Sequence, residues 1–173
     1  MEEQREKYLE GMTEDGYIKD QDFFSDFEYR TMPSSYNGCG WMAAYNLRHY
    51  LRQKVSFDEV RKEMNSLYTL PIPGPTTMRV MREYLKKYIP EIRESLGRER
   101  AEDAMKSSVA GILRYNESGV PHFISFYRIE NNVFRFFNVE DGLEDCLYEP
   151  ERFFTERCLP GYTAAFTVEE TKE

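Results

Sequence analysis

Two aromatic runs, His122-Phe-Ile-Ser-Phe-Tyr-Arg-Ile129 and Val133-Phe-Arg-Phe-Phe-Asn138, are separated by only Glu130-Asn131-Asn132. β-Branched and aromatic residues suit a pleated, half-buried surface, and a break of three polar residues reverses the chain between them. The pair predicts an antiparallel hairpin in the second half of the chain. Val109 to Tyr115 and Tyr162 to Val168 have the same character and predict two more strands, with a short helix over 150–156 before the last.

The first half has a different period. From Gly40 to Gln53 apolar residues recur at helical spacing, through Ala43, Ala44, Leu47, Tyr50 and Leu51. Ser56-Phe57-Asp58-Glu59 has the form of a capping box and opens a second helix running to about Leu67. After the stiff Pro71-Ile72-Pro73-Gly74-Pro75, Thr76 or Thr77 caps a third helix. Its apolar stripe is Met78, Met81, Leu85 and Tyr88 or Ile89. Helices first and strands later make an α+β layout, an antiparallel sheet packed against a central helix that starts at Cys39.

A chain of 173 residues predicts one domain over 1–173 with a sizeable core. Residues 1–30 hold ten Asp/Glu against four Lys/Arg, and are expected to form an acidic N-terminal extension packed on or draped over that domain. The formal net charge of −8 argues against nucleic-acid binding, which concentrates Lys and Arg on a surface. No apolar run approaches the ~20 residues of a membrane span, and the polar start M-E-E-Q-R-E-K is unlike a secretory signal. Cys39, Cys146 and Cys158 are unclustered, which suits a reducing compartment. A cytoplasmic protein without membrane or nucleic-acid partners is expected, its oligomeric state unread. Two distant histidines and three scattered cysteines have no metal-ligand spacing, so neither a metal nor a cofactor is expected.

Met32-Pro33-Ser34-Ser35-Tyr36-Asn37-Gly38 reads as a loop whose Asn-Gly pair readily adopts positive φ. It delivers Cys39, between two glycines, to a helix start. The partial positive charge of a helix N-terminus favours thiolate over thiol. Gly38 and Gly40 leave the backbone bare for a carbonyl to approach and take the Cys39 N–H as an oxyanion donor. A nucleophilic thiol also needs a base. His49 lies ten residues along the same helix, roughly 15 Å away at ~1.5 Å per residue, and faces elsewhere. His122, at a strand end after Gly119-Val120-Pro121, is the candidate. A hairpin centred near 130–131 sets residues 138–141 opposite it. Asn138 or Asp141 can then accept the imidazole N–H. Asn138 ends a well-formed strand in phase with Phe134 and Phe136, whereas Asp141 precedes Gly142 as a turn aspartate does.

The run S-Y-N-G-C-G-W-M-A-A-Y-N-L-R-H-Y-L resembles the catalytic-cysteine helix of papain-like cysteine peptidases, closest to the branch of bacteriocin-processing, double-glycine leader peptidases. G-V-P-H-F-I-S-F-Y-R-I-E-N-N-V-F-R-F-F-N-V resembles the same family's histidine strand and following hairpin. The resemblance spans about residues 33–142. It implies a papain-like fold with Cys39 as nucleophile, His122 as base and Asn138 as third member. It also implies a glutamine a few residues before the cysteine to help hold the oxyanion, and none stands between Met32 and Asn37. Asn37, Ser34 or Ser35 are possible substitutes, or Gln21 if an unusual loop brings it in. The expected function is a thiol-dependent hydrolase of a peptide or amide substrate. The alternatives are a cysteine acyltransferase on the same fold and a degenerate domain that binds peptides without cutting them.

Overall fold

A computed structural model describes residues 7–139 and 142–170. Its centre is a six-stranded antiparallel sheet in the order β3-β8-β4-β5-β6-β7. The strands are β3 (Arg93–Leu96), β4 (Ser108–Glu117), β5 (Val120–Glu130), β6 (Val133–Phe137), β7 (Cys146–Tyr148) and β8 (Leu159–Glu169), preceded by a two-residue ribbon of β1 (Glu28–Tyr29) and β2 (Met32–Pro33). The helices are α1, the single turn Ser34–Asn37, then α2 (Cys39–Tyr50), α3 (Phe57–Ser66), α4 (Met78–Tyr88), α5 (Arg98–Ser107) and α6 (Pro150–Glu156).

The two-residue period of the strands divides the core in two. Ile112 and Phe123 join one buried cluster with α2, α3 and α4, while their chain neighbours Leu113 and Ile124 join another with Ala101, Met105, Phe153 and Phe154 of α5 and α6. Helices therefore cover both faces of the sheet. The central strands β4 and β5 accordingly carry apolar residues in unbroken stretches rather than strict alternation. The central helix α2 starts at Cys39, as its sequence predicts, and packs on β5 and β4. It buries ten consecutive residues, Cys39 to Arg48, because neighbours surround it on most sides.

Local signals hold in detail. Ser56 and Glu59 form the reciprocal capping box at the start of α3. Thr77, rather than Thr76, caps α4 by accepting from the Val80 N–H. The hairpin between β5 and β6 turns at Asn131-Asn132, with Ser125 opposite Phe137.

Two expectations are corrected. The segment before Cys39 is not a loop with positive φ: residues 34–37 make a helical turn and Gly38 sits at φ −78°. The glycines are bare for packing. A Cβ on Gly38 would overlap the Ser34 carbonyl, and one on Gly40 would overlap Thr76. Of the two expected placements of the N-terminal segment, residues 7–30 take the packed one: Ile18, Phe24 and Tyr29 have no exposed surface and belong to the core around α2. Finally, α5 and β3 were not foreseen. RERAEDAMKS buries only Ala101 and Met105, too thin an apolar stripe to read, and β3 is a short edge strand. No helix among the described residues is long and apolar enough to cross a membrane.

Candidate active site

Cys39 is the first residue of α2, so its N–H has no acceptor within the helix. Its side chain is buried, yet it lines a cavity of about 790 Å³ together with Gln21, Asn37, Glu117, His122 and Asn138. That volume lies within the range of small-ligand and substrate sites.

His122 stands near the start of β5, two residues beyond a tight hairpin, and meets Cys39 at the end of the sheet. Its Nε2 lies 2.7 Å from the main-chain carbonyl of Asn138. A carbonyl only accepts, so Nε2 carries the proton and Nδ1 is left for Cys39. Burial alone would raise the Cys39 thiol. Hydrogen bonding from His122, the charge of that ring and the N–H groups of Phe123 and Gly40 outweigh it, and the thiol is lowered from its ordinary value. Burial likewise opposes charge on His122. Its partners Cys39, Glu117 and the Asn138 carbonyl overcome that and push it up to about 9. A lowered thiol and a raised imidazole side by side are the pattern expected of a thiolate–imidazolium pair.

Asn138 meets His122 with its backbone and not with its carboxamide. Its φ of +60° turns the side chain away, where Nδ2 donates to Gln21 Oε1 at 2.9 Å and Oδ1 accepts from the Gln21 N–H at 3.0 Å. Asp141, the other sequence candidate, lies outside the described residues.

Gln21 stands 18 positions before Cys39, yet the fold brings it into the same cavity. It begins a short 3-10 turn, Gln21–Phe24, capped by Asp20. That turn is fastened to α2 just upstream, where Asn46 accepts from the Ile18 N–H at 2.8 Å and donates to the Ile18 carbonyl at 2.9 Å. One Gln21 Nε2–H is donated to the Ser35 carbonyl at 2.7 Å; the second remains for a ligand.

The remaining candidates have other duties. Asn37 donates Nδ2 to the carbonyls of Tyr29 and Gly74, at 2.7 and 3.1 Å, so its donors are committed to holding loops. Ser35 holds Gln21 through its carbonyl, and the Ser34 hydroxyl accepts from the Trp41 indole at 3.1 Å. His49 bonds the Asp15 carbonyl at 2.7 Å and packs edge-on to Tyr17, clasping the N-terminal segment to α2.

One neighbour of His122 was not foreseen. The Glu117 Oε2 lies 3.6 Å from Nε2, and its Oε1 accepts from the Tyr115 hydroxyl at 2.8 Å. The signal was available in Ser118-Gly119, a dipeptide that closes a two-residue hairpin. Both take positive φ, and the resulting register pairs Tyr115 with His122 and Glu117 with Val120. No protein-family model matches the sequence, and no curated protein does.

Proposed function

We propose that this chain is a thiol-dependent hydrolase of peptide or amide bonds with a papain-like arrangement. The observation that carries the reading is the buried Cys39–His122 pair on a cavity wall, with the thiol lowered and the imidazole raised to about 9. Structural cysteines behave in the opposite way. Burial raises the thiols of Cys146 and Cys158, the latter to about 12.

The Cys39 thiolate adds to the substrate carbonyl carbon, and the carbonyl π pair moves onto oxygen. That oxyanion is met by the Cys39 N–H and the spare Gln21 Nε2–H. As the tetrahedral species collapses, the C–N bond breaks and the His122 imidazolium gives its proton to the leaving amine, forming a thioester. His122, now neutral, takes a proton from water. The hydroxide adds to the thioester, and the acid departs with the Cys39 thiolate restored. An amine in place of that water would make the same site an acyltransferase. Asp20, Asp22 and Glu117 line the cavity, with no Lys or Arg among its described lining residues, a field that favours positively charged substrates.

Iodoacetamide with peptide mapping tests the proposal. The three cysteines are similarly buried, at 3–5 % exposure, but of the three only Cys39 lines the cavity, so the pH midpoint of labelling is the deciding readout. Cys39 should be alkylated first, with a pH midpoint below that of a free thiol. Equal labelling of the three, or an inert Cys39, would overturn the reading.

A further inference from the structure

We propose that Glu117, held by Tyr115, is the positioning carboxylate of the His122 imidazolium, the place that the sequence pattern assigns to Asn138 or Asp141. The inference rests on the Cys39–His122 reading above.

Three observations converge. The Asn138 carboxamide is fully spent on Gln21, so its residue offers His122 only a neutral carbonyl. The Glu117 carboxylate lies 3.6 Å from the same Nε2, beyond a direct hydrogen bond but within ion-pair range, and both side chains are mostly buried, at 14 % and 22 % exposure. Water screens such a pair much less than one on the surface. The carboxylate is also fixed. Its other oxygen takes the Tyr115 hydroxyl at 2.8 Å, and the Tyr115 ring lies edge-on to His122 with centroids 5.9 Å apart. Tyr115 and Glu117 share one side of β4, and Glu117 sits diagonal to His122 across the β4–β5 ladder, a distance that a long side chain spans.

Other ionisable groups face this cluster. Cys39 approaches from α2, Asp20 and Asp22 line the cavity, and Cys146 and Cys158 feel the Glu117 charge. Burial keeps both of those thiols neutral. The charge of Arg157 reaches Tyr115 and Cys146. Among the described residues, Glu117 is the carboxylate in ion-pair range of His122. It favours the protonated ring and sets how far the pair persists into alkali.

The imidazole Cε1–H resonances of the full chain, titrated by NMR, test the inference without any substrate. His122→Gln assigns the two histidines. In the native chain His122 should titrate near pH 9. Glu117→Gln keeps the shape and an acceptor for Tyr115 but removes the charge. The His122 midpoint should then fall, corresponding to a roughly tenfold loss in imidazolium stability. The alkaline limit of iodoacetamide reactivity at Cys39 should fall with it. Asn138→Gly keeps the carbonyl and the positive φ and should leave the His122 midpoint in place. Tyr115→Phe, which frees Glu117 to move, should give a partial fall and serves if the Gln variant does not fold. A raised native midpoint that both Glu117→Gln and Tyr115→Phe leave unmoved would overturn the role of Glu117 alone. A native midpoint at the ordinary histidine value would instead overturn the ion pair, and the proposed function with it.

Discussion

Replacing Gln21 with alanine separates two properties of the site that most substitutions damage together. Gln21 contributes two side-chain hydrogen bonds, Nε2 to the Ser35 carbonyl at 2.7 Å and Oε1 from Asn138 Nδ2 at 2.9 Å. Its main-chain N–H still reaches Asn138 Oδ1 in the variant. At about 0.5–1.5 kcal/mol for each lost bond, stability should fall by about 1–3 kcal/mol. For a domain of this size each kcal/mol lowers Tm by about 2–4 °C. The fold therefore survives at room temperature. Alkylation of Cys39 by iodoacetamide is a displacement at saturated carbon. It needs the thiolate and develops no oxyanion, so its rate should stay within about threefold of the native value. Acylation of Cys39 by p-nitrophenyl acetate passes through an oxyanion. Without the Gln21 donor it should slow by ~100- to 1000-fold, equivalent to about 2.7–4 kcal/mol of transition-state stabilisation. Stopped-flow release of p-nitrophenolate and iodoacetamide labelling, on the same preparation, read the two rates. If both fall together, Gln21 maintains the Cys39–His122 pair and is no oxyanion donor. If neither falls, Gln21 has no part in the chemistry.

Further outcomes follow from the same geometry. His122→Asn removes the hydrogen bond and the charge that lower the Cys39 thiol and leaves burial to raise it; alkylation of Cys39 at pH 7 should slow and its pH midpoint should move up. In the native chain, Cys39 reactivity towards amides should decline as pH rises through about 9. The His122 value is raised by folding, so the proton it holds is present below that pH and lost above it. Gly40→Ala drives a methyl into Thr76, whose hydroxyl lies 3.0 Å from the Tyr29 hydroxyl; the overpacked variant should lose about 1–3 kcal/mol in urea unfolding. Asn37→Ala leaves the carbonyls of Tyr29 and Gly74 without its donors. It should cost about 1–3 kcal/mol in the same assay, with Cys39 labelling retained in the folded fraction.

What the sequence determined by itself is local. A capping box, a proline at the first turn of α6 and a polar break between aromatic runs each act within a few residues, so α3, α6 and the β5–β6 hairpin were readable to within a residue or two. The hairpin also made His122 and Asn138 neighbours, and the helix start gave Cys39 its orientation. Which atom of Asn138 faces the ring was beyond that reading. It depends on the left-handed backbone at the strand end and on Gln21, a partner 117 residues away in sequence.

The tertiary structure decided the rest. Gln21 reaches the cavity because burying Ile18, Phe24 and Tyr29 beside α2 is worth more than leaving them in water, and because Asn46 satisfies the Ile18 backbone there. No spacing rule relates position 21 to position 39. The glycines around Cys39 illustrate the same limit, since a bare backbone reads alike whether a substrate or Thr76 fills the space. Periodicity and capping are written in consecutive residues, whereas a cavity wall is assembled by whichever apolar surfaces find one another across the sheet.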